Sequence, residues 1–87
     1  MILVFHRSFK KKYKRLEPRL REKCDERILM FEVDPRNPTL NNHPLGGDKQ
    51  GQWTINVTGD YRAVYKFRDE RTIIFMDVDT HHNLYGK

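Results

Sequence analysis

The spacing of apolar positions changes repeatedly along this chain, and each change marks an element. Ile2 to Phe5 is wholly apolar, partly β-branched and too short for a helix, which predicts a strand buried on both faces. Phe9, Tyr13 and Leu16 then fall at helical spacing, with Ser8 as the expected N-cap and lysines on the opposite side. Glu17-Pro18 ends that helix and opens another, because proline fits the first turn, where its missing N–H costs nothing. Leu20, Cys24, Ile28 and Phe31 recur at steps of four, four and three, one stripe of a helix from about Pro18 to Val33. Asp34-Pro35 closes it, since a residue before proline is pushed out of helical geometry.

From Pro35 to Gly51 the pattern dissolves among Pro35, Pro38, Pro44, Gly46, Gly47 and Gly51, predicting a long loop without regular elements. Trp53, Ile55 and Val57 alternate with Thr54, Asn56 and Thr58, the period of a half-buried strand. Thr58-Gly59-Asp60 turns the chain into a return strand, Tyr61 to Phe67, with Tyr61, Ala63, Tyr65 and Phe67 on one face and Arg62, Val64 and Lys66 on the other. Arg68 to Arg71 turns it again into a last strand, Thr72 to Val78, which runs out into Thr-His-His-Asn-Leu-Tyr-Gly, residues 80 to 86. The expectation is one α+β domain over residues 1–87: an N-terminal strand, a two-helix hairpin and a three-stranded antiparallel meander forming one sheet with helices on one face.

Composition narrows the partners. Lys and Arg outnumber Asp and Glu by 17 to 12, for a formal net charge of +5. Lys10, Lys11, Lys12, Lys14 and Arg15 form a dense block on the first helix, so a polyanion such as RNA is the expected partner. Cys24 is the single cysteine, which excludes an intramolecular disulfide. No secretory leader pattern and no apolar run near the roughly 20 residues of a membrane span is evident, so a cytoplasmic location without membrane contact is expected.

RNA can be cut without a metal when a base takes the 2′-hydroxyl proton, an acid protonates the leaving 5′-oxygen and a cation steadies the phosphorane. Histidine suits either proton role, with an unperturbed pKa of about 6.5. His6 ends a strand and reads as structural, whereas His43 lies in the long loop and His81 and His82 follow the last strand. The His81-His82 pair reads equally as a polar strand end, but no spacing supports a zinc site, so neither metal nor cofactor is expected. Arg62 has two readings, a salt bridge to Asp60, Asp77 or Asp79, or a fork on phosphate oxygens. Trp53 offers a ring on which a base could stack, although its place also fits the core, and Lys49 adds charge to the loop.

His43-Pro44-Leu45-x-Gly47, Gly51-x-Trp53-x-Ile55-x-Val57, Gly59-Asp60-Tyr61-Arg62-x-x-Tyr65 and Thr80-His81-x-x-Leu84-Tyr85 occur in register. Together they resemble the RelE/ParE superfamily of type II toxins, and within it the YafQ-like mRNA interferase branch. The resemblance implies the RelE/ParE-like microbial RNase fold. It also implies a metal-independent endoribonuclease that cuts mRNA, commonly on the ribosome, and is held by a cognate antitoxin. His43, Asp60, Arg62, His81 and Tyr85 match the catalytic set of the resemblance. His81 is then the expected general acid, His43 or Asp60 the base or orienting group, and Arg62 the phosphate holder. Lys10, Lys11, Lys14, Arg15, Lys49 and Trp53 are the expected RNA contacts. Asn56 stands where that branch has a further histidine, Tyr61 replaces a tryptophan, and Asp77 occupies a position that is basic there.

Two other readings stay open. A ParE-like toxin would bind a protein target such as DNA gyrase without cutting RNA. A degenerate relative would only pair with an antitoxin.

Overall fold

The computed structural model describes residues 1–85; Gly86 and Lys87, at the end of the expected 1–87 domain, lie outside them. The apolar run at the start is strand β1, Ile2–Phe5. It leads directly into helix α1, Arg7–Arg15, whose N-cap is His6 and not Ser8. The His6 Nδ1 accepts from the Ser8 N–H at 3.0 Å, so an imidazole lone pair does what a hydroxyl was expected to do two residues later. Helix α2, Pro18–Val33, follows with Pro18 in its first turn and Cys24, Ile28 and Phe31 buried. Arg21 closes the α1–α2 corner by donating to the Leu16 carbonyl at 2.7 Å and the Lys14 carbonyl at 3.3 Å. Those carbonyls belong to the last turn of α1, where no intrahelical donor remains.

The proline- and glycine-rich stretch is more ordered than its breakers suggest. Pro38–Leu40 and Gly47–Lys49 form single 3-10 turns, and His43–Pro44 forms a two-residue strand, β2. Proline opens the first of these turns and sits on an edge strand in β2, both positions that require no N–H from it. Leu40 is fully buried and closes the core from this side. Asn42 pins the loop, accepting from the Tyr65 hydroxyl at 2.8 Å and donating to the Pro35 carbonyl at 3.1 Å.

Strands β3, Gln52–Asn56, β4, Tyr61–Phe67, and β5, Thr72–Thr80, make the expected meander. With β1 and β2 added at the edges, the sheet has five strands in the order β1-β5-β4-β3-β2. β1 runs parallel to β5, with Ile2 opposite Thr72 and Phe5 opposite Phe75. Helices α1 and α2 cover one face, where Phe9, Cys24, Ile28 and Phe31 pack on Ile55, Ala63, Tyr65, Phe75 and Val78.

A bulge in β5 decides which residues face that core. Val64 pairs with Asp77 but Tyr65 pairs with Phe75, leaving Met76 as an extra residue in β5. Strict alternation from Phe75 would send Asp77 and Asp79 inward. The inserted residue reverses the phase, so Val78 enters the core and both carboxylates turn to the opposite face. That second face is itself partly covered, with Thr54 and Val64 buried on it.

Candidate active site on the open sheet face

The segment after β5 is not a loose tail but a one-turn helix, α3, His81–Tyr85. Its start is built from side chains that sequence reasoning passed over. The Thr80 hydroxyl accepts from the Asn83 N–H at 3.1 Å, while Asp79 Oδ1 accepts from the Thr80 N–H at 2.7 Å and the Asn83 amide at 2.9 Å. Thr80 three residues before Asn83 is a cap spacing that could have been read beforehand. The turn brings the His81 and Tyr85 rings together, with centroids 4.4 Å apart. The His81 N–H donates to the Asp60 carbonyl at 2.8 Å, tying α3 to the β3–β4 turn. Leu84 is buried beneath the helix, and His82 is exposed.

Asp60 and Arg62 belong to that same turn. Arg62 Nη1 donates to the carbonyls of Thr58 at 3.0 Å, Gly59 at 3.0 Å and Tyr61 at 3.2 Å, so one end of the guanidinium braces the turn. Its Nε and Nη2 make no hydrogen bond among the described residues. Arg62 lies opposite Asn56 on one side and Asp79 on the other, a row across β3, β4 and β5.

The salt bridge envisaged for Arg62 is not formed. Asp77 and Asp79 instead share Lys12 of α1, each at 3.0 Å from its Nζ. Desolvation alone would raise the Asp79 carboxyl, but the Asn83 amide, the Thr80 N–H and Lys12 outweigh it and hold the group below the usual aspartate range. Desolvation likewise opposes the charge on Lys12, and the two aspartates overcome it and raise the ammonium above its ordinary value. The single Lys12 charge thus offsets half of the charge on the two acids from α1.

His43 sits on β2, opposite Thr54. Its Nδ1 lies 2.7 Å from the Asn41 carbonyl, which Asn41 presents from a left-handed conformation at φ 47°. A carbonyl only accepts, so Nδ1 carries a proton, and in the neutral imidazole the lone pair is then on Nε2 of this exposed residue. No hydrogen bond joins His43 to His81, Asp60 or Arg62 among the described residues. Between them, Thr54 Oγ1 and Asn56 Oδ1 are buried with no hydrogen-bond partner among the described residues, an expensive condition for polar atoms.

Residues 45–49 and 83–85 enclose a cleft of about 420 Å³, which joins the loop beyond His43 to the Tyr85 ring. Lys49 lines it. A larger groove of about 520 Å³ lies on the helix side, lined by Phe5, Phe9, Tyr13, Ile28 and Leu29, with Lys10 and Lys14 beside them. Its walls are apolar, whereas the smaller cleft is lined by Asp48, Lys49, Asn83 and Tyr85; neither His43 nor His81 lines either one. Lys10, Lys11, Lys14 and Arg15 are exposed along α1. Trp53 is half-buried, packed on Tyr65 and edge-on to Phe67, its ring turned to the core. Among the described residues no three His, Cys, Asp or Glu side chains gather as a metal site requires.

The profile described as "ParE toxin of type II toxin-antitoxin system, parDE" matches residues 3–85. The chain belongs to the ParE toxin family of the RelE/ParE superfamily. This ParE-family chain also resembles solved toxin structures. The YoeB/ParE toxin from Agrobacterium tumefaciens is 26% identical, with TM-score 0.77 over 93% of this chain and 99% of that one. YafQ from E. coli strain BL21(DE3) shares the fold at TM-score 0.82 and 20% identity, covering 97% of each chain. The E. coli DinJ-YafQ toxin-antitoxin complex matches at TM-score 0.78 and 23% identity, over 97% of this chain and 96% of that one. No curated protein sequence matches it. As a ParE-family chain it is a toxin of a type II toxin-antitoxin system, and none of its described helices is long and apolar enough to cross a membrane.

Proposed function

We propose that this toxin is a metal-independent endoribonuclease that cuts mRNA at the translating ribosome in the cytoplasm and is held inactive by a cognate antitoxin. The observation that carries this reading is the pairing of His81 with Tyr85 beside the Asp60–Arg62 turn, on the sheet face where His43 exposes a free Nε2. His43 Nε2 accepts the 2′-hydroxyl proton, and His81 delivers a proton to the leaving 5′-oxygen. The free edge of the Arg62 guanidinium, Nε and Nη2, takes a non-bridging phosphate oxygen while Nη1 stays fixed to the turn. Tyr85 orients the His81 ring, and the Asp60 carbonyl fixes the start of its helix. Lys10, Lys11, Lys14 and Arg15 grip RNA through charge, so binding weakens steeply with salt. The complex of the similar YafQ with DinJ supports an antitoxin partner for this chain.

The ParE name of the matching family, and the YoeB/ParE structure, favour a second reading, a toxin that binds a protein target such as DNA gyrase. Induction of the wild type and His81→Ala in growing cells, followed by primer extension across an abundant mRNA, separates the two. The nuclease reading expects new RNA ends with the wild type and a loss of at least about 100-fold in the variant. Equal growth arrest by both proteins without new ends leaves the protein-binding reading in its place.

A further inference from the structure

The cleft beside Tyr85 contains a group that phosphate binding does not explain. Asp48 lines it, exposed and without a hydrogen bond or ion pair among the described residues. A carboxylate repels the RNA backbone, and the turn that carries it, Gly47–Lys49, sets Lys49 next to it in the same wall. The opposite wall is Asn83, Leu84 and Tyr85. Asn83 gives one of its two amide N–H groups to Asp79, which leaves the other and the carbonyl oxygen, an acceptor, without a partner among the described residues. The site therefore offers acceptors from two sides, an aromatic ring, and one cation.

The geometry points to a base-reading subsite in which Asp48 selects guanine in the nucleotide next to the cut; this rests on the nuclease reading above. Guanine is the only RNA base whose Watson–Crick edge presents two adjacent N–H donors, N1–H and N2–H, to a single carboxylate. Adenine and cytosine each set an acceptor beside their amino group, and uracil flanks its one N–H with carbonyls, so each places a lone pair against Asp48. The Tyr85 ring supplies a stacking surface, and Lys49 offsets the charge of the flanking phosphate. A cleft of about 420 Å³ is roomy enough for one nucleotide. The carboxylate that binds RNA poorly is then the element that reads it.

The test is Asp48→Asn, which replaces two acceptors by one acceptor and one donor, the complement of the adenine edge. Wild type and variant are each added to a translation reaction programmed with a randomised mRNA pool, and the new ends are sequenced. The wild type should favour guanine at one fixed position by roughly tenfold or more, and the variant should shift that preference to adenine while still cutting. A base profile identical in the two proteins overturns the proposal. If the wild type cuts nothing, the nuclease reading falls. Titration of both proteins with the four nucleoside monophosphates, followed by NMR at Asn83 and Tyr85, then decides the subsite alone. Guanosine monophosphate bound in preference by the wild type, and adenosine monophosphate by the variant, supports it; equal or absent binding overturns it.

Discussion

Asp79→Ala should be among the most damaging substitutions on the open sheet face. The carboxylate accepts from the Thr80 N–H, the Asn83 amide and the Lys12 ammonium, and its side chain is 20% exposed. Removing it leaves two donors at the start of α3 without their partner, and each such bond to a charged acceptor contributes about 1–2 kcal/mol. The Lys12 contribution is smaller, because Lys12 is 38% exposed and keeps Asp77, so solvent screening leaves it at about 0.5 kcal/mol. The sum is about 2.5–4.5 kcal/mol, which in a chain of this size lowers Tm by roughly 10–35 °C. Urea and thermal unfolding followed by circular dichroism measure it. Asp79→Asn, which keeps one carbonyl acceptor, should lose about half as much.

The same residue sets an acid dependence. Its folded carboxyl lies below the unfolded value of about 3.9, so its stabilisation is complete above that pH and fades as pH falls through the lower folded value. Asp79→Asn should flatten the stability curve in that window. A Asp79→Ala variant within about 0.5 kcal/mol of wild type, with an unchanged acid limb, would refute the account of how α3 is held.

Other consequences follow from single contacts. Arg62→Ala should cost about 1–2 kcal/mol in urea unfolding, because three turn carbonyls lose a donor; a neutral result would confine Arg62 to ligand binding. Deleting Met76 removes the bulge and sets Phe75 and Asp77 side by side opposite Tyr65 and Val64, so Asp77 should stay on the outer face and urea unfolding of the variant should remain cooperative. Leu40→Ala should destabilise by about 2–5 kcal/mol, measured by urea midpoint, since the side chain is fully buried. Tyr13 donates to Asp25 at 2.7 Å, and that bond, with burial, pushes its phenol up to about 12. Its stabilisation is complete below the unfolded value of about 10 and is lost as pH rises through the folded one; Tyr13→Phe should remove this alkaline loss in unfolding experiments.

What could be read in the sequence depended on whether a period had room to express itself. The Cys24, Ile28 and Phe31 stripe and the β3–β4 alternation were visible because each runs over several repeats. Strand β2 and helix α3 are shorter than one full period of evidence, so the three histidines on them, His43, His81 and His82, read as loop and tail. The bulge at Met76 was invisible for a different reason. Pattern alone assigned Thr72 to Val78 to one strand, and only pairing with β4 reveals the residue that switches faces. The partner of Asp77 and Asp79 was likewise hidden, since Lys12 is brought to them by packing of α1 and not by any local spacing. The candidate residues themselves were legible, but the cap that organises His81 and Tyr85 passed through Thr80 and Asn83, which carry no chemistry of their own.

The parallel pairing of β1 with β5 bears on when the toxin can first exist. Ile2 finds its partner Thr72 only after some seventy intervening positions have been made, as the register Ile2 to Thr72 requires. Closing so long a loop is slow and yields little until the central strands are in place. During synthesis the N-terminal strand therefore waits, and the chain emerges from the ribosome without a finished sheet or the helix bearing His81. On the nuclease reading proposed above, a chain of this topology holds no assembled cutting site until its last strand is made, and a partner that grips the finished sheet can capture it only from then on.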